Sequence, residues 1–454
     1  MSDTPTIAEA GALFRARKLS PVELLQHCMN QIERWDGELN SFLHISRERA
    51  LRDARAAERR ILGGDALGPL DGIPIAHKDV IDTKGIPTTG HSRWLENNIP
   101  ARDAEVVSQL DAAGSVLLGK LATYEFAMGG PSDDLPWPFP RNPWDVSRFA
   151  GGSSSGSGVA VAAGLVLGAT GTDTGGSVRV PSAFCGVVGL KPTFGAISNA
   201  GLLPLAYSMD HIGPMAWTVH DCALLFDGMR GRGSAPDFTP ANGDLKGCRI
   251  GVIRHFFEED TKVSPDQISA INAAVGVFRD LGAVVEDVQL SSLLEYHACG
   301  ALILCTEASA VHHDRIKSHP EKFGERMRAL LTIGSLFTGV DYVQAMRRRN
   351  ELCREMAAMF AQYDVLITVG AAGEPPLLAE VPYWTTLSTP TYTIPFNVTG
   401  NPAMTVCCGF GSGGMPLGMQ IIGPPDGESA LFKIGHAYEQ AADRRKRPLQ
   451  GPAI

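Results

Sequence analysis

GGSSSGSGVAVAAGLVLGATGTDTGGSVRVPSAFCGVVGLKPT, residues 151–193, sets two clusters of glycine and serine on either side of an apolar segment. Glycine permits backbone angles closed to other residues and lets a ligand come close to main-chain N–H groups. Each cluster therefore presents a hydroxyl nucleophile candidate on a tight turn. Such a layout suits acyl transfer better than scaffolding.

Around this segment the chain has 454 residues, 44% hydrophobic and 20% charged, enough to bury a substantial core. No internal repeat or low-complexity linker marks a boundary, so one large domain over 1–454 is expected. Within it we expect an N-terminal helical region (1–65), a core (66–220), a variable substrate-pocket region (221–380) and a C-terminal part of the core (381–454). The net charge of −9 argues against a broad phosphate-binding surface, so no nucleic-acid partner is expected. The RRKR run at 444–447 reads as a solvated tail. Nine cysteines, an odd number without a CxxC spacing, read as reduced and mostly buried. The N-terminus has no basic region followed by a long apolar core, and no uncharged run of roughly 18 apolar residues occurs. A cytoplasmic protein without a membrane partner is the expectation.

Thr6 to Glu9 and Ser20 to Glu23 have the form of capping boxes, the second with Pro21 at the first helical position. Behind it Val22, Leu25, Met29 and Ile32 share one helical face, and the segment at 46–62 continues as helix. The stretch IPIAHKDVI at 73–81 reads as a buried strand and turn, Asp103 to Gly114 as a helix, and Val116 to Leu118 as a short strand. Further on, 248–253, a helix opened by Ser264-Pro265, and 283–288 repeat the alternation. A long helix near 340–361 then leads into DVLITVG. The alternation indicates an α/β fold.

Several chemistries fall away on inspection. GGSSSGSG lacks the following Gly-Lys-Ser/Thr that reaches a nucleotide's phosphates. His312-His313-Asp314 is compact, yet adjacent histidines on a helix diverge by about 100° and cannot readily chelate one ion. No metal or organic cofactor is expected. Gly152-Ser153-Ser154-Ser155-Gly156 matches a nucleophile elbow centred on Ser154, which makes a Ser-His-Asp α/β-hydrolase an alternative with His211 as its best base. His77 reads as a packed strand residue beside Lys78.

Gly151-Gly152-Ser153-Ser154, then Gly171 to Arg179 (GTDTGGSVR), then Gly189-Leu190-Lys191-Pro192-Thr193 stand in the order of the amidase signature, which this sequence resembles. Gly72 to Asp79 (GIPIAHKD) is similar to that family's lysine segment, and RNPW at 141–144, DHIGP at 210–214 and PLGMQIIG at 416–423 extend the likeness. It is weakest at about 225–380. The resemblance implies the amidase signature fold, a mixed central β-sheet flanked by helices on both faces. It also implies a Ser-cisSer-Lys triad: Ser177 as nucleophile, Ser153 as bridge after a cis Gly152–Ser153 bond, and Lys78 as base. Ser154 is then a neighbour with a hydrogen bond to Lys78 as one option.

This triad makes physical sense. A serine hydroxyl is a weak nucleophile until a base takes its proton, and lysine is a base only when neutral. Its ordinary pKa of about 10.4 must fall, which burial achieves. Ile73, Ile75, Val80 and Ile81 supply apolar surroundings, and Asp79 should point to the opposite side of the chain. The turn Thr174-Gly175-Gly176-Ser177 can aim consecutive N–H groups at an oxyanion. Asp173 and Arg179 look like braces of that turn, and Thr172 could orient the bridging serine.

The expected function is hydrolysis of small uncharged aryl or alkyl amides through an acyl-enzyme, extending to carbamates (urethanes) and esters. Met128, Gly129 and Gly130 are expected to border the substrate, with Leu135 to Phe139 as an aromatic rim. A small-molecule substrate and a monomer or homodimer follow. The resemblance also admits another reading, the catalytic glutaminase component of a tRNA-dependent amidotransferase, which hydrolyses glutamine and passes ammonia to a partner.

Overall fold

The computed structural model describes residues 4–231, 244–384, 387, 389–442 and 447–448. Among them eleven strands form one sheet: β1 (Phe42–Ile45), β2 (Pro74–Lys78), β3 (Val116–Leu121), β4 (Gly168–Asp173), β5 (Val188–Lys191), β6 (His211–Ala216), β7 (Arg249–Val252), β8 (Val284–Asp287), β9 (Val365–Val369), β10 (Ala403–Phe410) and β11 (Pro416–Ile422). Across the sheet they run β1-β3-β2-β4-β6-β5-β10-β11-β9-β7-β8. Two wings hold parallel pairs, β3-β2-β4 and β9-β7-β8, as the strand and helix alternation requires. Between them β4, β6, β5, β10, β11 and β9 pair antiparallel. The expected mixed α/β sheet is present.

Both capping boxes form: Thr6 and Glu9 exchange hydrogen bonds, as do Ser20 and Glu23. The helix Pro21–Leu39 buries Leu25, Met29 and Ile32, while Val22 is only partly covered. The helices Arg47–Gly63, Glu105–Ala112, Pro265–Asp280 and Gly339–Met359 stand where the periodicity places them. Two departures occur on the first wing. β1 interrupts the N-terminal helical region, because four residues are too few to declare a period but suffice to pair with β3. β3 itself continues through Lys120 to Leu121. Lys120 is fully buried, and its ammonium lies 3.2 Å from Asp79, a tertiary pairing that local sequence does not announce.

Helices flank the sheet, and one continuous cluster of buried apolar side chains joins the two. All nine cysteines are free thiols. No helix among the described residues is long and apolar enough to cross a membrane. Arg447 corrects the solvated-tail reading for its own position. It stacks over the Trp217 ring at 4.3 Å and donates to the Val161 carbonyl at 3.2 Å, while 444–446 lie outside the described residues.

Candidate active site

β2 and β4 are parallel neighbours, with Ile75 opposite Gly168 and His77 opposite Thr170. Their carboxyl ends therefore meet, the usual place for a ligand site in an open α/β sheet. Lys78 is the last residue of β2 and is completely buried. Its Nζ donates to Ser153 Oγ at 2.7 Å and to Thr172 Oγ1, on β4, at 2.6 Å. Burial pulls the Lys78 pKa down to about 7, against the opposing pull of the Asp173 and Asp210 carboxylates. Strand alternation turns Asp79 away, where it accepts from the Thr89 N–H at 2.9 Å and faces Lys120.

The Gly152–Ser153 peptide bond is cis. Gly152 must be glycine, because a Cβ there would overlap the Tyr124 ring. Ser153 and Ser154 lead directly into the buried helix Ser155–Ala162. Ser154 does not reach Lys78, contrary to one sequence expectation. Its hydroxyl donates to the Thr172 carbonyl at 3.2 Å and accepts the Thr172 N–H at 3.1 Å. Ser154 thus fastens Thr172, and Thr172 contacts the lysine itself rather than orienting Ser153 from outside.

Ser177 sits on the turn after β4, half-buried, with its carbonyl accepting the Ser154 N–H at 3.1 Å. Among the described residues Ser177 Oγ has no hydrogen-bond partner. Asp173 organises the turn from below. Its carboxylate accepts the N–H of Gly176 at 2.8 Å and of Val178 at 3.1 Å. The expected oxyanion donors therefore need correcting: the Gly176 N–H is already engaged. Thr174 joins through its side chain, which donates to Asp210 at 2.7 Å. Among the described residues the N–H groups of Gly175 and Ser177 have no partner.

Asp173 and Arg179 form a fully buried ion pair with closest approach 2.9 Å. Arg179 also donates to the carbonyl of Thr393, to Gln420 Oε1 and to Asn397 Oδ1. Burial alone would raise the Asp173 pKa, but the charge and hydrogen bonds of Arg179 overcome it and hold the carboxyl well below the usual range. His211 is out of reach as a base for Ser154. It is buried, with Nδ1 2.6 Å from the Met209 carbonyl and Nε2 3.2 Å from Lys191 Nζ, which removes the Ser-His-Asp arrangement.

Ser177 opens onto a cavity of 140 Å³ that Met128, Gly129 and Gly130 line as expected. The aromatic rim is different. Tyr124 and Phe149 face the cavity, while Phe139 packs behind both with ring centroids 5.7 and 6.1 Å away. Trp137 instead packs on His91. The remaining wall includes His297 and Leu304, from the helix Leu293–Val311, and Ile394. Nothing in the sequence near the signature points to them.

Known proteins share this geometry and this sequence. The family model described as Amidase matches residues 23–432. The glutamyl-tRNA(Gln) amidotransferase of Chloroflexus aurantiacus contains, as its first-lettered component, a chain 39% identical to this one over 478 aligned residues, covering 96% of both. A crystal structure of an amidase superposes with TM-score 0.88 at 30% identity, over 96% of this chain and 100% of that one. The peptide amidase of Stenotrophomonas maltophilia superposes with TM-score 0.83 at 28% identity, over 98% of each chain.

Proposed function

The chain belongs to the amidase family, and on that premise we propose that it hydrolyses the C–N bond of a small amide through an acyl-enzyme on Ser177. The observation carrying this reading is the 2.7 Å contact between buried Lys78 and Ser153 beneath the Ser177 turn. With Lys78 neutral, its lone pair accepts the Ser153 proton while Ser153 takes the proton of Ser177. Ser177 Oγ turns toward Ser153 to close this relay as it attacks the carbonyl. The N–H groups of Gly175 and Ser177 then receive the oxyanion. The relay runs backwards to protonate the departing amine, and water repeats the cycle on the ester.

The Lys78 pKa of about 7 sets the pH dependence. Below it the ammonium has no lone pair to offer, so kcat/KM on an uncharged substrate should fall by about tenfold per pH unit. A pH profile measured on an anilide checks this. An acidic limb near the ordinary lysine value would remove Lys78 as the base.

The cavity favours an uncharged substrate. Among the described residues its lining has no Asp, Glu, Lys or Arg side chain, so the ammonium and carboxylate of an amino acid would lose water without gaining a partner. Aryl and alkyl amides fit that surface, and carbamates and esters present the same carbonyl to Ser177. The second reading, a glutamine-hydrolysing component of an amidotransferase that works with other protein partners, is favoured by the 39% identity to such a component. Purified protein assayed alone for amine release from anilides, aliphatic amides, glutamine, aryl esters and aryl carbamates separates the two. We expect anilides to exceed glutamine by roughly a hundredfold in kcat/KM. Selective glutamine turnover, or activity that requires co-purified protein partners, would establish the second reading instead.

A further inference from the structure

Beyond the cavity at Ser177 lies a larger one of 690 Å³, and the two share Phe149, Val180, Val381 and Thr391 in their walls. The shared residues make the larger space a continuation of the first rather than a separate site. Its near walls are apolar, including Phe184 and Tyr392. Its frame is built and held: the Ser264 N–H donates to the Ala372 carbonyl at 2.7 Å, and Tyr392 Oη lies 2.6 Å from Thr261 Oγ1. At the far side stand two carboxylates, Asp266 and Glu374. Asp266 accepts the N–H and the hydroxyl of Ser412, each at 2.8 Å, and Glu374 accepts the Met415 N–H at 2.9 Å. Among the described residues no Lys, Arg or His side chain lines this groove.

We propose that the groove binds the extended half of the substrate: an amide with a compact group on one side of the reacting bond and, on the other, a long apolar chain or ring system ending in a neutral or cationic group. This rests on the amide-hydrolase reading above and adds its substrate class. The small cavity takes a compact group only, whereas the groove offers nearly five times that volume (690 against 140 Å³) along an apolar path. Burial of the extension there occurs on binding and persists through reaction, so it raises kcat/KM. The carboxylates set the sign of the tail, since an anionic end would approach two like charges without a counter-ion.

The test compares a compact anilide with the same anilide extended by a long alkyl chain ending in methyl, ammonium or carboxylate. The methyl- and ammonium-ended amides should show kcat/KM at least about tenfold above the compact one, and the carboxylate-ended amide should lose that gain. Ala372, exposed on the groove wall, can carry a blocking side chain. Ala372→Trp should erase the gain while leaving the compact anilide within about twofold of wild type, which also shows the variant is folded. Asp266→Asn should narrow the preference for ammonium over carboxylate by roughly threefold. Calorimetric binding of the same amides to Ser177→Ala protein reads the groove independently of turnover. Absence of all amide turnover in wild type, with length-dependent binding retained, would fail the hydrolase reading alone. Equal binding and turnover of compact and extended amides, or an Ala372→Trp variant unchanged on both, would overturn the groove assignment.

Discussion

Ser177→Ala is expected to lower kcat by about 10³- to 10⁶-fold, the range seen when a hydrolase loses its nucleophile and keeps only binding and oxyanion contacts. The fold should survive intact. The Ser177 side chain is half-buried and has no hydrogen-bond partner among the described residues, so its removal leaves no stranded polar atom. Mass spectrometry supplies a direct reading. A slowly deacylating aryl ester or carbamate should add its acyl mass to the wild type and not to Ser177→Ala. Labelling that persists at Ser154 would revive the nucleophile-elbow alternative, against the placement of His211 on Lys191.

Arg179→Ala is expected to be the most destabilising substitution of the site, by about 3–5 kcal/mol, because it leaves a buried charge without its partner. Arg179 and Asp173 are both fully buried, and the guanidinium serves four residues: Asp173, Thr393, Gln420 and Asn397. Arg179→Lys keeps the charge but cannot reach all of those acceptors, so it should fall between alanine and wild type. Chemical denaturation followed by fluorescence measures the order. The pH dependence supplies a further check. The Asp173 pKa is depressed in the folded protein, so its stabilising contribution is present above the ordinary carboxyl pKa of about 3.9 and fades as pH falls below it. That acid-sensitive component should be missing from Arg179→Ala. Wild-type stability in that variant would mean that water or a neighbour compensates Asp173.

The sequence exposed the parts of this site that are local. Lys78 terminates a strand whose apolar run is visible, and Ser153 and Ser177 sit on turns that glycine makes recognisable. Who bonds to whom was less legible. A turn with several N–H groups looks like a set of free donors until Asp173 is seen beneath it, engaging Gly176. Ser154 and Thr172 are eighteen residues apart, and only the packing of the helix Ser155–Ala162 onto β4 joins them. His297 and Leu304 carry no motif at all. They reach the cavity because a helix from a distant connection lies over it, a decision of tertiary packing rather than of local pattern. The same holds for Lys120, whose charge reads as surface and whose burial depends on Asp79.

The reacting groups lie within one continuous stretch, from Lys78 to Ser177, on the ends of two adjacent strands. The cavity walls come from elsewhere: 128–130, the helix Leu293–Val311, and the segment around Thr391 and Ile394. Inheritance of chemistry and inheritance of substrate choice are therefore separable in this chain. Drift in the distant segments can retune what enters without disturbing the proton relay, and a laboratory library confined to Met128, His297, Leu304 and Thr391 would explore new substrates on an unaltered catalytic frame.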